Sequence, residues 1–441
     1  MKNVKEGLMM AACVLSVIAL IVSVTGFIVL FTTRGQSPVP SSSVQPGKVP
    51  AASQAAAAFI NVFDYGAKGD GTTDDTKAIQ DAVQAARDTG YPVYVPRGTF
   101  LVTDTIQLPS VTLYGHVSGA FPADTDRLPT FLMTNPDKIL FNVASGSVSG
   151  IKVECRFSGE AQPVFMLTTS GGRVSNVKIA DAWIGIKTDD EHTSVYNPGR
   201  CNLENIFIVN CKDTGVYVGG TYDVPTLDNI EVWAPGIGES PTRVAFHFAK
   251  NDDLRATNCF AFNADIGFLI DGKDDLGGFW GSLSNCSADL CGVGIQVTAV
   301  DKDSSYLTIN GGTYWAHSTA IEIAEGYNGF AAISGTELRS NGAATVRIAG
   351  GHSVAFTGNS VRRIFPTGNA PGLQISGGKS VNATGNVISS STDGVVLNNQ
   401  TGAVNFSNNV INANGAAVVN NAQGNAKQSV QNNVSQALDE G

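Results

Sequence analysis

The sequence predicts an all-β chain folded as a single-stranded parallel β-helix of about 11–12 coils. A small residue followed by apolar, any and apolar residues recurs about every 26 residues. Its copies begin at Gly185, Gly215, Ala245, Gly267, Gly294, Ala320, Thr345, Gly372 and Gly394. A second phrase, usually Asn before the same apolar pattern, precedes these copies, as at Asn176, Asn205, Asn229, Asn258 and Asn285. One coil cannot bury its apolar face alone, so the coils must stack.

Composition and charge limit the function classes. The chain has 441 residues, of which 15% are charged, and a formal net charge of −10. Lys and Arg do not cluster along the sequence. An acidic chain without a basic patch is not expected to bind nucleic acid.

The seven cysteines show neither CxxC nor His-paired spacing, which argues against a metal site. Cys259 and Cys286 occupy positions where other coils place apolar residues, so we expect both to be buried in the core. Disulfides between Cys201 and Cys211, or between Cys286 and Cys291, are compatible with an oxidising compartment, but the sequence does not require them.

The N-terminal segment has a different composition. Residues 8–31 form an uncharged apolar run, long enough for a transmembrane helix, between a short tail at 1–7 and a Pro/Ser/Ala-rich linker at 32–58. A cleavable signal peptide would have a shorter apolar region. Lys2 and Lys5 precede the run, which predicts an inside N-terminus and a single-pass anchor. The β-helix would then lie outside the membrane, at a cell surface, in a periplasm or on a virion.

A capping segment is predicted before the coils. The glycine-rich stretch at 63–76 leads into residues 77–87, where Ile79, Val83 and Ala86 share one helical face. A short amphipathic helix is therefore expected there, followed by strands.

The stretch from Phe63 to Phe100, including D-Y-G-A-K-G-D-G-T-T-D-D-T and V-Y-V-P-R-G-T-F, resembles the opening of the pectate-lyase superfamily. That superfamily includes many phage tailspikes and carbohydrate-active enzymes. The resemblance implies a right-handed β-helix over residues 59–421, plugged at its N-terminal end by the helix, with a polar tail at 422–441. It also implies that a homotrimer can form, as in related spikes. Asp70, Asp74 and Asp75 are interpreted as turn and helix-cap residues.

The repeat register predicts which side chains face out. Because strand residues alternate, the small residue and the positions two before and two after it should point to solvent. The earlier position holds Trp183, Asp213, Arg243, Asp265, Gly292 and Ser318. The later position holds Lys187, Tyr217, His247, Leu269, Gln296, Glu322 and Arg347. Two rows of large side chains flanking a strip of Gly and Ala would form a shallow groove for an extended polysaccharide.

A candidate catalytic group lies on these rows. Asp213 and Asp265 are two coils apart, so their backbones should be about 10 Å apart, near the carboxyl separation of an inverting glycosidase. Arg243 would bind a sugar carboxylate and His247 would move a proton. The remaining candidates are substrate-binding residues: Trp183, Lys187, Tyr217, Asp189, Asp190, His192, Glu322 and Arg347.

The activity itself stays open at this level. The N-T-D, D-D and G-H-G motifs of polygalacturonase-like members and the R-x-P-x-x-R of pectate lyases are absent, so neither reaction transfers residue by residue. A polar outward face is also the ordinary surface of any β-helix. The main hypothesis is a polysaccharide-binding protein, with hydrolase or lyase activity as one possibility. No cofactor is expected, except Ca²⁺ for a lyase. The alternatives are a non-catalytic adhesin or tailspike-type receptor-binding protein, and a purely structural stalk.

Overall fold

The computed structural model describes residues 59–116, 122, 125–190, 197–236, 241–272, 278–298, 305–363 and 368–438. They form a parallel β-solenoid of about 13 turns, in which each turn contributes strands to three columns. Every strand pairing in the solenoid is parallel, for example Ile206 with Ile230 and Val216 with Phe246. The fold prediction is therefore confirmed, with a solenoid slightly longer than the 11–12 coils expected.

The strands fall into three columns that run along the axis. Strands of the first column are Ile60–Asn61, Val93–Tyr94, Thr112–Tyr114, Asn251–Thr257, Phe279–Ser284, Tyr306–Asn310, Phe330–Ser334, Ser353–Thr357, Ser380–Thr384, Ala403–Ser407 and Gln428–Gln431. Strands of the second column are Asp70–Asp74, Thr99–Val102, Thr130–Met133, Phe260–Phe262, Glu337–Ser340, Ser360–Arg363, Val387–Ser390, Val410–Ala413 and Val434–Gln436. Strands of the third column are Ile106–Pro109, Phe141–Ala144, Phe165–Thr169, Ile184–Thr188, Thr214–Val218, Thr242–Phe248, Ala264–Ile270, Val346–Ile348, Leu373–Ile375, Val395–Leu397 and Val418–Asn420.

Six longer strands bridge two columns. Those joining the first to the second column are Ser147–Cys155, Arg173–Ala180, Asn202–Val209 and Thr226–Trp233. Those joining the second to the third column are Ser287–Val297 and Thr313–Ile323.

The N-terminal end carries the predicted cap. A 3-10 helix at Val62–Tyr65 precedes an α-helix at Thr76–Thr89, which buries Ile79 and Val83. Asp75 is buried and accepts hydrogen bonds from the backbone N–H groups of Lys68 (2.6 Å) and Gly69 (3.0 Å). Asp70 and Asp74 likewise accept backbone hydrogen bonds within the turn. Hydrogen bonds from Thr73 and Thr72 lower the pKa of Asp70. These acidic residues shape the cap, as the sequence predicted.

The interior consists of the apolar positions predicted from the repeat. The residues one and three after the small residue are buried on successive coils, as at Val216, Phe246 and Phe268. Phe246 and Phe268 stack with ring centroids 4.8 Å apart, which is one coil spacing. Like residues thus pack on like residues along the axis.

The recurring Asn of the second phrase occupies a left-handed turn. Asn176, Asn205, Asn229 and Asn258 have φ between 53° and 54°, a region that Asn adopts more readily than other residues with a side chain. The Asn229 amide donates to Asn205 Oδ1 at 3.2 Å, so these turns also bond from coil to coil. The phrase therefore marks the corner between the first and second columns.

The C-terminal end extends further than predicted. The solenoid continues beyond residue 421, because Gln428–Gln431 pairs with Ala403–Ser407 and Val434–Gln436 pairs with Val410–Ala413. The polar segment at 422–441 is thus partly strand.

The predicted N-terminal tail, transmembrane helix and linker at 1–58 lie outside the described residues. Among the residues that the structure does describe, no helix is long and apolar enough to span a bilayer.

The described cysteines are core residues. Cys259 and Cys286 are buried, as predicted, and both are free thiols. Cys201, Cys211 and Cys291 are also buried and free, so neither of the two disulfides that the sequence allows is formed. Burial raises the pKa of Cys201 to about 12, which keeps it a neutral thiol.

Candidate functional site

The strip of small residues points inward, contrary to the prediction. A Cβ on Gly215 would lie 2.6 Å from the Ala245 carbonyl oxygen and 2.7 Å from the Val232 side chain, which belongs to the core. Ala245 itself is fully buried. The alternation fails because the pairing joins Thr214 to Val244 and Val216 to Phe246 but skips the residue between them. The strand bends there, so small residues are required by close packing and do not form a groove floor.

Apart from Leu269, the row two residues after the strip is partly exposed, and neighbouring members contact one another along the axis. Lys187 pairs in register with Tyr217, and Tyr217 with His247. His247 then pairs with Leu269, which is almost completely buried. Five side chains around the first three of these residues form one group.

This group, the Tyr217 cluster, consists of Lys187, Asp190, Tyr217, His247 and Asp271. The Tyr217 hydroxyl donates to Asp190 Oδ2 at 2.5 Å, and Lys187 Nζ lies 3.2 Å from Asp190 Oδ1. Lys187 Nζ is also 5.3 Å from the centre of the Tyr217 ring. The rings of Tyr217 and His247 meet edge to face, with centroids 4.9 Å apart. Asp271 Oδ2 lies 3.8 Å from His247 Nε2.

The cluster has two carboxylates in different surroundings. The Asp190 side chain is 30% exposed and contacts the Lys187 ammonium and the Tyr217 hydroxyl. The Asp271 side chain is 18% exposed and lies against the imidazole. His247 Nε2 is buried and has no hydrogen-bond partner among the described residues. An unpaired buried ring nitrogen calls for an explanation, because such groups are normally satisfied in stable cores.

The predicted acid–base pair, Asp213 and Asp265, lies on the two coils on either side of Arg243. Arg243 forms an ion pair with Asp213, and the Thr214 hydroxyl donates to the other Asp213 oxygen at 2.9 Å. The hydrogen bond to Asp213 raises the pKa of Arg243, and the charge of Asp265 acts in the same direction. The three residues therefore share one face, as predicted. Asp213 is thus engaged with Arg243 and Thr214.

The other predicted residues are spread along the solenoid. Glu322 pairs with Arg347 and accepts from Gln296 at 3.1 Å, three to five coils beyond Tyr217. Trp183 is half-buried beside Asp213, whose backbone N–H donates to its carbonyl.

Two further predictions concern the turn after the Lys187 strand. Asp189 is half-buried there, and its backbone N–H donates to the Leu167 carbonyl oxygen at 2.8 Å. His192 lies outside the described residues.

Asp271 did not emerge from the sequence pattern. It directly follows the strand Ala264–Ile270, at the position that Asp189 occupies after the strand Ile184–Thr188. A search for acidic residues at this first turn position on every coil would have found it. The side chain contacts the neighbouring coil, and a strand pattern alone does not indicate that contact.

A metal site is not evident in the described residues. None of their His, Cys, Asp and Glu side chains forms a group of three or more that could hold an ion.

Comparison with known proteins supports the fold. The family model described as rhamnogalacturonase A/epimerase, pectate lyase-like, matches residues 59–121, which contain the cap and the first strands. The A-module of mannuronan C-5 epimerase AlgE6 from Azotobacter vinelandii is similar with a TM-score of 0.55 and 20% identity, over 85% of this chain and 99% of that module. The resemblance to the pectate-lyase superfamily is confirmed. At this identity, the structural likeness concerns the fold alone.

Curated relatives match only part of the chain. The preneck appendage protein of Bacillus phage PZA is 54% identical over 54 residues, which is 12% of this chain and 6% of that protein. The pre-neck appendage protein of Bacillus phage B103 is 34% identical over 126 residues, which is 27% of this chain and 14% of that protein. The chain thus spans a small share of these relatives' own length.

Proposed function

We propose that this chain is a surface polysaccharide-binding β-solenoid that cleaves glycosidic bonds by hydrolysis at the Tyr217 cluster. The observation that carries the proposal is the pair of carboxylates, Asp190 and Asp271, placed on either side of the contacting Tyr217 and His247 rings. The surface location is part of the proposal and rests on the apolar run at 8–31, a predicted membrane anchor.

The two carboxylates lie on coils at opposite ends of the Tyr217 cluster, and their side chains lean toward its centre. Their backbones are three strands apart, or about 14 Å along the axis. Asp190 reaches the Tyr217 hydroxyl on the next coil, and Asp271 reaches back to His247. The side chains thus lean toward one another, and the proposed inverting reaction requires their carboxyl groups to be about 6.5–9.5 Å apart around a water molecule.

We assign one catalytic role to each of the two carboxylates. Asp190, beside the Lys187 ammonium and the Tyr217 hydroxyl, is the base that takes a proton from the attacking water. Asp271 is the acid that protonates the leaving oxygen as the glycosidic bond breaks. His247 lies behind Asp271 and is a positioning residue, since its Nε2 is covered in the free protein.

A second candidate function is a non-catalytic receptor-binding protein. It is favoured by the likeness of part of this chain to phage appendage proteins. In that case the same outward surface would attach to a surface polysaccharide without cleaving it.

The test is turnover of the full chain on a panel of neutral and acidic polysaccharides, measured as new reducing ends. Asp190→Asn and Asp271→Asn should each reduce turnover by about 100-fold or more, because each removes a proton-transfer group. Asp265→Asn should retain turnover close to that of the wild type.

The other outcomes are equally informative. Loss of turnover in Asp265→Asn with unchanged Asp190→Asn would return the catalytic role to the Asp213 and Asp265 pair. Binding to whole cells without product on any glycan would favour the receptor-binding protein. Circular dichroism of each variant checks that the solenoid is intact.

A further inference from the structure

A concave surface lies over the C-terminal coils, away from the Tyr217 cluster. It has a volume of about 800 Å³ and is lined by the turns at 325–328, 349–351, 376–379 and 398–402, together with Lys427. We call it the C-terminal groove. These turns follow the last strands of the third column, so the groove runs across successive coils.

The floor of the C-terminal groove is built from glycine by steric necessity. A Cβ on Gly350 would lie 2.1 Å from the Ala324 carbonyl oxygen, and one on Gly377 would lie 1.9 Å from the Ala349 carbonyl oxygen. Side chains are therefore excluded from the floor at these turns. A ligand in the groove would therefore contact the backbone of the floor and the side chains at the rim.

Asparagine amides fix the shape of this floor. Asn399 Nδ2 donates to the carbonyl oxygens of Gly377 (2.9 Å) and Gly378 (2.8 Å). Asn425 Nδ2 donates in the same way to Asn399 and Gly402. The groove is therefore preorganised, which lowers the entropy cost of binding an extended ligand.

Two lysines lie along the groove, offset by one residue in register, because the pairing aligns Gln428 with Val381 through Val404. Lys379 immediately precedes the strand Ser380–Thr384, and Lys427 immediately precedes Gln428–Gln431. Both strands pair with Ala403–Ser407, so the two lysines are two coils, or about 10 Å, apart along the axis. Both side chains are exposed.

The charge balance of the groove is positive. Its described lining includes the cations Arg347, Lys379 and Lys427 and one carboxylate, Glu325. Arg347 is paired with Glu322. Lys379 Nζ lies 3.4 Å from His352 Nδ1, and Lys427 Nζ donates to the Thr401 carbonyl oxygen at 3.4 Å, so the two exposed lysines make only long contacts with described residues and are the cations most available to a ligand. This contrasts with the acidic balance of the whole chain, −10.

We propose that the C-terminal groove binds a polysaccharide with regularly repeated acidic groups, lying along the solenoid axis. Lys379 and Lys427 each meet one acidic group, two coils apart, and the Asn- and backbone-rich floor exchanges hydrogen bonds with sugar hydroxyls. Few apolar groups line the groove, which suits a hydroxyl-rich polymer. This inference rests on the proposed function for the polymer class, and it makes the substrate of the Tyr217 cluster an acidic polysaccharide.

The experiment measures binding of fluorescent polygalacturonate oligosaccharides to the full chain, with dextran as the neutral probe and duplex DNA as a non-saccharide polyanion. The double variant Lys379→Gln/Lys427→Gln should bind polygalacturonate about tenfold more weakly, since two charge contacts are lost. The control Lys68→Gln/Lys77→Gln removes the same charge from the N-terminal cap and should bind as the wild type does.

Several results would overturn the inference. They are equal loss in both double variants, unchanged binding in the Lys379/Lys427 variant, or equal binding of DNA and polygalacturonate. Failure here is distinguishable from failure of the proposed function. Asp190→Asn should lose turnover and still bind polygalacturonate at the C-terminal groove. If Asp190→Asn loses turnover while the Lys379/Lys427 variant binds as the wild type does, the proposed function stands and only the groove assignment fails.

Discussion

Two sets of polar side chains on this solenoid are organised in opposite ways. In the last coils, Asn359, Asn386, Asn409 and Asn433 form a ladder of identical residues at the corner before the second column. The Asn386 amide donates to Asn409 Oδ1 and to a backbone carbonyl, and its oxygen accepts two hydrogen bonds from Asn359. Asn359, Asn386 and Asn409 are buried, and each of them is satisfied by these bonds.

The Tyr217 cluster differs on each of these points. Adjacent coils place three different functional groups in one row: the ammonium of Lys187, the phenol of Tyr217 and the imidazole of His247. The side chains are partly exposed, and His247 Nε2 lacks a partner among the described residues. A ladder of identical Asn residues whose hydrogen bonds are all satisfied indicates a structural role. A row of different side chains that includes an unpaired buried nitrogen is not what stability alone would select. This difference separates the candidate site from ordinary polar surface.

The largest stability effect is expected in the ladder. Asn386→Leu leaves the backbone N–H of Asn359 and the Phe356 carbonyl without their partners in the core. We expect the free energy of unfolding to fall by about 3 kcal/mol, the cost of two or more buried unsatisfied groups. Chemical denaturation measures it. The exposed Asn382→Leu on the preceding strand, Ser380–Thr384, serves as control and should change stability by about 0.5 kcal/mol or less. Equal effects would mean that the ladder is not structural.

An intermediate effect is expected beneath the cluster. Gly215→Ala places a Cβ 2.6 Å from the Ala245 carbonyl oxygen, so the coils must separate locally. We expect a loss of about 1–3 kcal/mol, as for other overpacked sites. Gly424→Ala, where nothing lies within 4 Å, is the control. A neutral Gly215→Ala would argue that the strip is less tightly packed than the geometry indicates.

The smallest stability effect is expected at the cluster itself. His247→Phe keeps the aromatic contact with Tyr217 and removes the unpaired Nε2. Replacing an unsatisfied buried polar atom by an apolar one is neutral or slightly stabilising, so the change should be within about 1 kcal/mol. Denaturation together with turnover checks this, with the exposed His317→Phe as control. A large destabilisation would place His247 with the structural residues and weaken its positioning role.

Much of the fold follows from the sequence. The repeat identified the buried positions, such as Val216 and Phe246, because burial and coil stacking set the pattern directly. The helix at Thr76–Thr89 followed from its apolar face. The orientation of Gly215 did not follow, since the alternation rule assumes an uninterrupted strand and the pairing skips this residue.

The candidate site was harder to predict from the sequence. Tyr217 and His247 were placed in one outward row correctly, because register alone determines that. The contacts of Asp190 and Asp271 depend on how the turns after the strands fold back over the row, and a repeat carries no information on this. The role of Arg243 as a partner of Asp213 likewise depends on side-chain conformation, not on spacing.

The most direct test is a crystal structure of the full chain with an oligosaccharide taken from the polysaccharide that it binds. We predict a glycosidic oxygen within hydrogen-bond distance of Asp271, with a water molecule or the sugar held by Asp190. A sugar bound at Asp213 and Asp265, or one bound away from the third column altogether, would contradict the assignment of the site to the Tyr217 cluster.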